Sequence, residues 1–311
     1  MRVTGNFFSN TLAAQLNVLA ARQYRLQNQA TTGQRIHAPE DDPAAMQRTL
    51  NLRAEQQSNQ QYANNISDLK DRTSASFDVL QAVQKISDRV GEIATLADGT
   101  KSPADLKSYA TELTQLIQQA AQLMNGKQNG SFLFGGTKSD QPPFSVTTDA
   151  NGNVTAVTYN GNNNVTSAEI AAGQTISADV PGENNSGSGP RGIVTDSRSG
   201  ADFFNHLISL QNHLLAGDTA SIASTDRPAL AKDEENFLYH ISNNGAVQTR
   251  LDTAAAIADT QSTSLDKMVS KETDADITET LVQLNQAQYA YQAALQSGAS
   301  IMKISLLDFL H

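Results

Sequence analysis

The chain has 311 residues, a net charge of −10 and neither Cys nor Trp, with charged residues at 17% and aromatics at 5%. Acidity on this scale excludes nucleic acid and anionic membrane surfaces as main partners, and the missing Cys removes disulfides, thiolate chemistry and Cys-ligated metals together. An apolar fraction of 39%, diluted by Ala, Gln, Asn, Ser and Thr, suits long helices with narrow stripes better than a thick enzyme core.

Residues 5–32 read as a first helix. Leu12, Leu16, Leu19, Gln23, Leu26 and Ala30 step by fours and threes, the 3.5-residue period of a coiled-coil seam. Phe7 to Ala21 is apolar, but Ser9, Asn10, Gln15 and Asn17 interrupt it, so it reads as an amphipathic helix rather than a cleaved signal. Gly33 ends the helix and residues 33–39 form a break. Asp42 then caps a second helix with Pro43 at its first position, and the seam runs from Tyr62 through Ile66, Leu69, Leu80, Val83 and Val90 to Ala97. Asp98-Gly99 stops it. Ser102-Pro103 repeats the signal for a third helix with the stripe Leu106, Ala110, Leu113, Ile117, Ala120 and Met124, closed by Asn125-Gly126.

Composition shifts near residue 130. Val146, Val154, Val157 and Tyr159 surround Asn151-Gly152, a hairpin signal, and residues 165–180 offer further short strands. Residues 183–192 read as a Gly/Ser/Pro loop. Helical pattern returns with Phe203, Leu207, Leu210 and Leu214, ending near Gly217, and restarts at Pro228, with a break near Thr273. The last helix carries another long seam: Ile277, Leu281, Leu284, Gln288, Tyr291, Leu295, Gly298, Met302, Ser305 and Phe309, widened by Ala287, Ala294 and Ile301, with Asp274 and Asp276 at its amino end. No apolar run approaches the roughly 18 residues of a membrane-spanning helix.

This layout predicts a mainly α protein: a long-helix bundle or coiled coil built from both ends of the chain, with a small β-rich inserted domain. The expected domains are 1–41 with 274–311, 42–139 with 198–273, and the insertion 140–197. The candidate functional residues are the terminal seams, Leu12, Leu16, Leu19, Leu26, Ile277, Leu281, Leu284, Tyr291, Leu295, Met302 and Phe309. Spacing leaves parallel and antiparallel pairing of the termini open. About seven apolar side chains along about 28 residues are few against the backbone entropy of ordering them, so both termini are expected to fold only on assembly.

Chemistry is sparse. Residues 187–192 match G-x-G-x-x-G, but Pro190 lies inside and no helix opens there, so a loop is expected. His206 and His213 share a helix face without a third ligand and read as exposed polar residues, while His37 and His240 stand alone. Glu40-Asp41-Asp42 reads as helix capping rather than a cation site. No catalytic residue, metal site or cofactor is expected.

Thr31-Thr-Gly-Gln-Arg-Ile36 followed by Glu40-Asp-Asp-Pro-Ala44 resembles the S-T-G-x-R-I … D-D-P-A segment of the flagellin superfamily, and residues 276–310 resemble its terminal helix. The start Met1-Arg-Val, the segment Asn129-Gly-Ser-Phe-Leu-Phe-Gly-Gly-Thr-Lys138 leading to Pro143-Phe144, and the ending Ile304-Ser-Leu-Leu-Asp-Phe-Leu310 are more similar to the hook–filament junction members than to the filament subunit. His37 and Ala38 depart from the small or polar residues that usually precede the acidic cap. The resemblance implies a non-enzymatic subunit exported unfolded through the flagellar type III apparatus to an extracellular site on the bacterial flagellum. It implies a homo-oligomeric ring between hook-associated protein 1 and flagellin, and a cytoplasmic export chaperone that binds the C-terminal region, with no nucleic acid or membrane as partner. The alternatives are a flagellin filament subunit, a secreted protein whose insertion binds a host surface, and an enzyme whose insertion holds the substrate.

Overall fold

The fold comes from a computed structural model, which describes residues 3–309 and, for side chains, residues 10–300. In chain order the elements are α1 (Val3–Thr32), α2 (Pro43–Leu96), α3 (Pro103–Met124), β1 (Lys127–Gln128), β2 (Ser131–Phe132), β3 (Phe144–Thr148), β4 (Val154–Tyr159), β5 (Ala168–Ala171), β6 (Gln174–Ile176), β7 (Glu183–Asn184), β8 (Thr195–Asp196), β9 (Ala201–Asp202), α4 (Phe203–Ala216), the single turn α5 (Thr219–Ser221), a π-helical turn at Ile222–Asp226, α6 (Arg227–Thr273) and α7 (Ile277–Phe309). The chain is thus mainly helical with its strands in the middle, as the patterning predicts. Two compact units form: residues 1–58 with 260–311, and residues 59–259.

In the second unit, α3 starts where the cap signal places it. The Ser102 hydroxyl accepts from the Asp105 N–H, and the Asp105 carboxylate accepts from the Ser102 N–H, a reciprocal capping box with Pro103 at the first position. Leu106, Ala110, Leu113, Ile117, Ala120 and Met124 are all buried. They meet Phe203, Phe204, Leu207, Leu210 and Leu214 of α4 and Leu80, Val83, Val90 and Ile93 of α2 in one core. Phe203 and Phe237 lie edge to face at 4.9 Å between centroids, and Phe144 meets Tyr159 at 5.2 Å and Phe204 at 5.4 Å. Gly217 ends α4 with φ +71, the left-handed conformation that closes helices.

The strands make small separate sheets. β3 and β4 pair antiparallel from Phe144↔Tyr159 to Thr148↔Val154, around a turn whose Asp149 carboxylate accepts from the Asn151 and Asn153 N–H groups. β5 and β6 form another hairpin, and β7-β8-β9 a three-stranded sheet with β7 parallel to β8. Arg72 of α2 ties β2 and the stretch after β6 to that helix. It pairs with the nearly buried Asp179 carboxylate and donates to the carbonyls of Phe132 and Leu133, while Asp179 also accepts from Thr166. A second, smaller core gathers Ile66, Leu69, Ile170, Ile176, Leu251 and Ala258.

Residues 187–192 form a loop, held by Asn184, whose side-chain amide donates to the carbonyls of Ser188 and Pro190. The histidines differ from expectation. His206 and His213 are half-buried, and each binds a buried carboxylate, Asp233 at 2.8 Å and Asp226 at 2.7 Å. His240 is 3% exposed and its Nε2 donates to the Gly192 carbonyl. Each depends on a partner far along the chain, which spacing within one helix does not reveal.

Candidate assembly surface

The first unit is built on α1 and α7. They run antiparallel: at one end Gly33 accepts from the Ala275 N–H and Arg35 donates to the Thr273 carbonyl, and towards the other Leu12 lies against Gly298. Small residues set this approach. A Cβ on Gly298 would stand 2.4 Å from a Leu12 methyl carbon, so α1 packs where α7 has no side chain.

The face that α7 turns toward α1 is Thr280, Leu284, Ala287, Tyr291, Ala294 and Gly298, stepping by fours and threes, with Thr280 and Ala287 buried. Of the seam residues read from the sequence, Leu26 is buried and Leu12, Leu16, Leu19, Leu284 and Tyr291 are half-buried. Ile277, Leu281 and Leu295 sit one step round the helix and are 43%, 46% and 44% exposed. The side chains of Met302 and Phe309 lie outside the described residues. The pair therefore keeps an apolar stripe on α7 beside the packed face, and Val18 and Tyr24 stand exposed on α1.

Charge is almost absent from this pair. From Val3 to Ala21 and from Thr280 to Met302 no residue is charged. Such helices take little from water in ionic solvation, so burying them against another uncharged surface carries a small desolvation cost.

A joint that the sequence did not single out stitches the two helix breaks together. Gln34 and Asp274 form an antiparallel bridge, and the Arg35 guanidinium donates to the Glu272 carbonyl and pairs with Asp42. Arg48 grips Glu272 with two nitrogens, at 3.2 and 2.9 Å. The Arg48 hydrogen bond holds the Glu272 carboxyl below its ordinary value. Asp41 is held low by the backbone N–H groups of His37 and Ala38, and Asp42 by that of Ala45. Within the acidic trio, Asp41 thus locks the loop and Asp42 caps the helix. Ile36, Ala45 and Thr49 are buried at this joint. The sequence marked its first stretch of residues, 31–36 and 40–44, but not their partners, since the bonds to Glu272 span more than 200 residues. Among the described residues no group of three or more His, Asp or Glu could hold a metal ion, and no helix is long and apolar enough to cross a membrane.

Residues 3–139 match the family described as the bacterial flagellin N-terminal helical region. The chain is similar to flagellar hook-associated protein 3 of Salmonella typhimurium, 32% identical over 130 residues that make up 41% of each chain. It is similar to the same protein of Escherichia coli, 33% identical over 119 residues and 38% of each chain. The matched stretch thus spans about two fifths of the length of these curated relatives. Among solved structures, the fold is similar to that of Bacillus cereus FlgL, with a TM-score of 0.55 and 18% identity over 71% of this chain and 99% of that one. Residues 3–139, less than half of the chain, carry its likeness to the bacterial flagellin N-terminal helical region.

Proposed function

We propose that this protein is a structural subunit of the bacterial flagellum, forming the ring that joins hook to filament. Its neighbours in that position are hook-associated protein 1 on the hook side and flagellin on the filament side. The observation that carries the reading is the uncharged α1–α7 pair with Ile277, Leu281 and Leu295 exposed beside its packed face. A second copy presenting the same stripe supplies an apolar cover of matching length. The curated relatives, named as hook-associated protein 3, support the junction position rather than the filament.

The chain reaches that position unfolded through the flagellar type III export channel, and a cytoplasmic chaperone keeps the C-terminal region soluble beforehand. The terminal helices fold together on assembly, since the seam is thin and interrupted by Gln23, Gln288 and Gly298. The role is structural and not catalytic.

Imaging of cells with and without the protein tests this. Loss of the protein is expected to leave hooks without attached filaments, and a tagged copy to mark one short band between hook and filament. Filaments that attach normally in its absence overturn the junction role. A tag spread along the whole filament makes the protein a filament subunit instead.

A further inference from the structure

Five Asn-Gly pairs occur in the chain, at 125–126, 129–130, 151–152, 160–161 and 244–245. Asn-Gly is the dipeptide in which a side-chain amide is most open to attack by the next backbone nitrogen, because glycine has no Cβ to block the approach. The five differ sharply in what restrains them.

Asn125 is pinned at both ends of its amide: Nδ2 donates to the Phe144 carbonyl at 2.8 Å and Oδ1 accepts from the Phe144 N–H at 2.9 Å. The Gly126 nitrogen is itself committed to the Leu123 carbonyl. Asn244 is buried within α6, donates to the Thr73 carbonyl and accepts from Gln248. Asn160 donates to Ser145, and its own N–H goes to the Pro143 carbonyl. At Asn151 the side chain is exposed, but the Gly152 nitrogen donates to the Asp149 carbonyl at 3.1 Å.

Asn129 has none of these restraints. It is exposed at the tip of the β1–β2 hairpin, in the two-residue loop between Gln128↔Ser131. Its φ is +49, the one positive value among non-glycine residues described, and Gly130 follows at +82. No hydrogen bond holds its amide or the Gly130 N–H. The two strands are only two residues long each, so the tip opens without disturbing the core.

We infer that Asn129-Gly130 is a site of spontaneous, non-enzymatic deamidation, and that it reacts ahead of the other four pairs. The Gly130 nitrogen attacks Asn129 Cγ. A C–N bond forms, and the side-chain nitrogen leaves as ammonia, taking the proton that the attacking nitrogen gives up. Water then opens the cyclic imide at one carbonyl or the other, leaving Asp or a β-linked isoaspartate. Nothing is oxidised or reduced. The isoaspartate adds a methylene to the backbone inside a two-residue loop, where register depends on loop length. The contact most exposed to that shift is Lys127 Nζ over the Phe132 ring, 4.3 Å from its centroid.

The test is peptide mapping of the whole folded chain, aged in mildly alkaline buffer, beside the same chain aged in urea. Cleavage after Lys and Arg puts Asn129 in the fragment 128–138 and Asn125 in 108–127, so each is read separately. In the folded chain, conversion of Asn129 is expected roughly tenfold or more ahead of Asn125 and Asn244, whose amides must first break two hydrogen bonds. In urea the five rates are expected to converge. Conversion at Asn151 or Asn125 that matches or precedes Asn129 in the folded chain overturns the assignment, as does an unchanged Asn129 after Asn151 has reacted. A Gly130→Ala chain reads the same site through blocked approach and is expected to slow the fragment 128–138 alone.

Discussion

In residues 59–259 the aromatic side chains meet one another in the interior, and Phe203, Phe237 and Phe134 are fully enclosed. In residues 1–58 with 260–311 the buried apolar side chains are Leu26, Ile36, Leu265 and small residues such as Ala45 and Ala287, while Val18, Tyr24, Leu50, Met268, Val282 and Tyr289 stay exposed. Charge divides the same way. The terminal unit carries 9 basic and 10 acidic residues, a net −1, and residues 59–259 carry 13 and 22, a net −9. One unit encloses an aromatic core and carries the acidic excess, which favours solubility. The other keeps apolar surface outside with almost no net charge to repel a copy of itself. On the proposed function, the difference gives stability and association to separate parts of one chain.

The strongest way to break that division is to charge the exposed stripe. Leu281→Asp or Leu295→Asp places a carboxylate where a partner helix would pack but where the single chain leaves the side chain in water. Polymerisation is expected to be lost, with the thermal unfolding of the chain unchanged; sedimentation and calorimetry read the two halves. Leu26→Asp sharpens the contrast, because that side chain is 2% exposed and its replacement puts a carboxylate inside the folded terminal unit. In the other unit, Phe237→Ala removes a fully buried ring and its edge-on contact with Phe203, at a cost of about 3–5 kcal/mol in urea unfolding. If Leu295→Asp destabilises the monomer as much as Phe237→Ala, the terminal stripe belongs to the folded core and the division fails.

Much of this arrangement was legible in the residues, and the exceptions share a cause. Asp42-Pro43 and Ser102-Pro103 announce helix starts because caps are local, and the structure starts α2 and α3 there. Asn151-Gly152 announces the β3–β4 hairpin for the same reason. The stripe of α3 is buried residue for residue, since a regular helix against a deep core obeys its period. On α7 the same rule places Ile277, Leu281 and Leu295 at the centre of the seam and Ala287 and Ala294 at its edge; in the structure the first three are exposed, Thr280 and Ala287 are buried and Ala294 is half-buried. An apolar count favours large side chains; close packing of α1 favours the small ones that let Leu12 reach Gly298. The His206–Asp233 pair and the joint between Arg35, Glu272 and Arg48 were invisible because each needs a partner that only the fold brings near.

The acidic unit also makes a smaller prediction, about pH. Burial pushes the Glu183 carboxyl up to about 7, with Asp202 adding to the rise and the Thr195 hydroxyl opposing it. A folded value above the ordinary 4.5 means that the neutral acid is the form favoured in the fold. Its contribution is therefore complete below the ordinary value and is lost as pH rises through about 7. His240 works in the opposite direction: burial holds it down to about 4, so its contribution is complete above the ordinary 6.5 and is lost as pH falls toward about 4. Glu183→Gln keeps the neutral shape and removes only the first effect. Between these limits the stability of the wild-type chain is expected to fall relative to Glu183→Gln by about 1 kcal/mol, after discounting for the partial exposure of the side chain. Urea unfolding at a series of pH values reads the difference. A gap that stays constant across the range would mean that Glu183 is charged and paired in the folded chain. A gap that opens as pH rises places the Glu183 carboxyl inside the fold as a neutral acid, which the terminal unit, with Glu272 and Asp42 held ionised by arginines and backbone N–H groups, does not do.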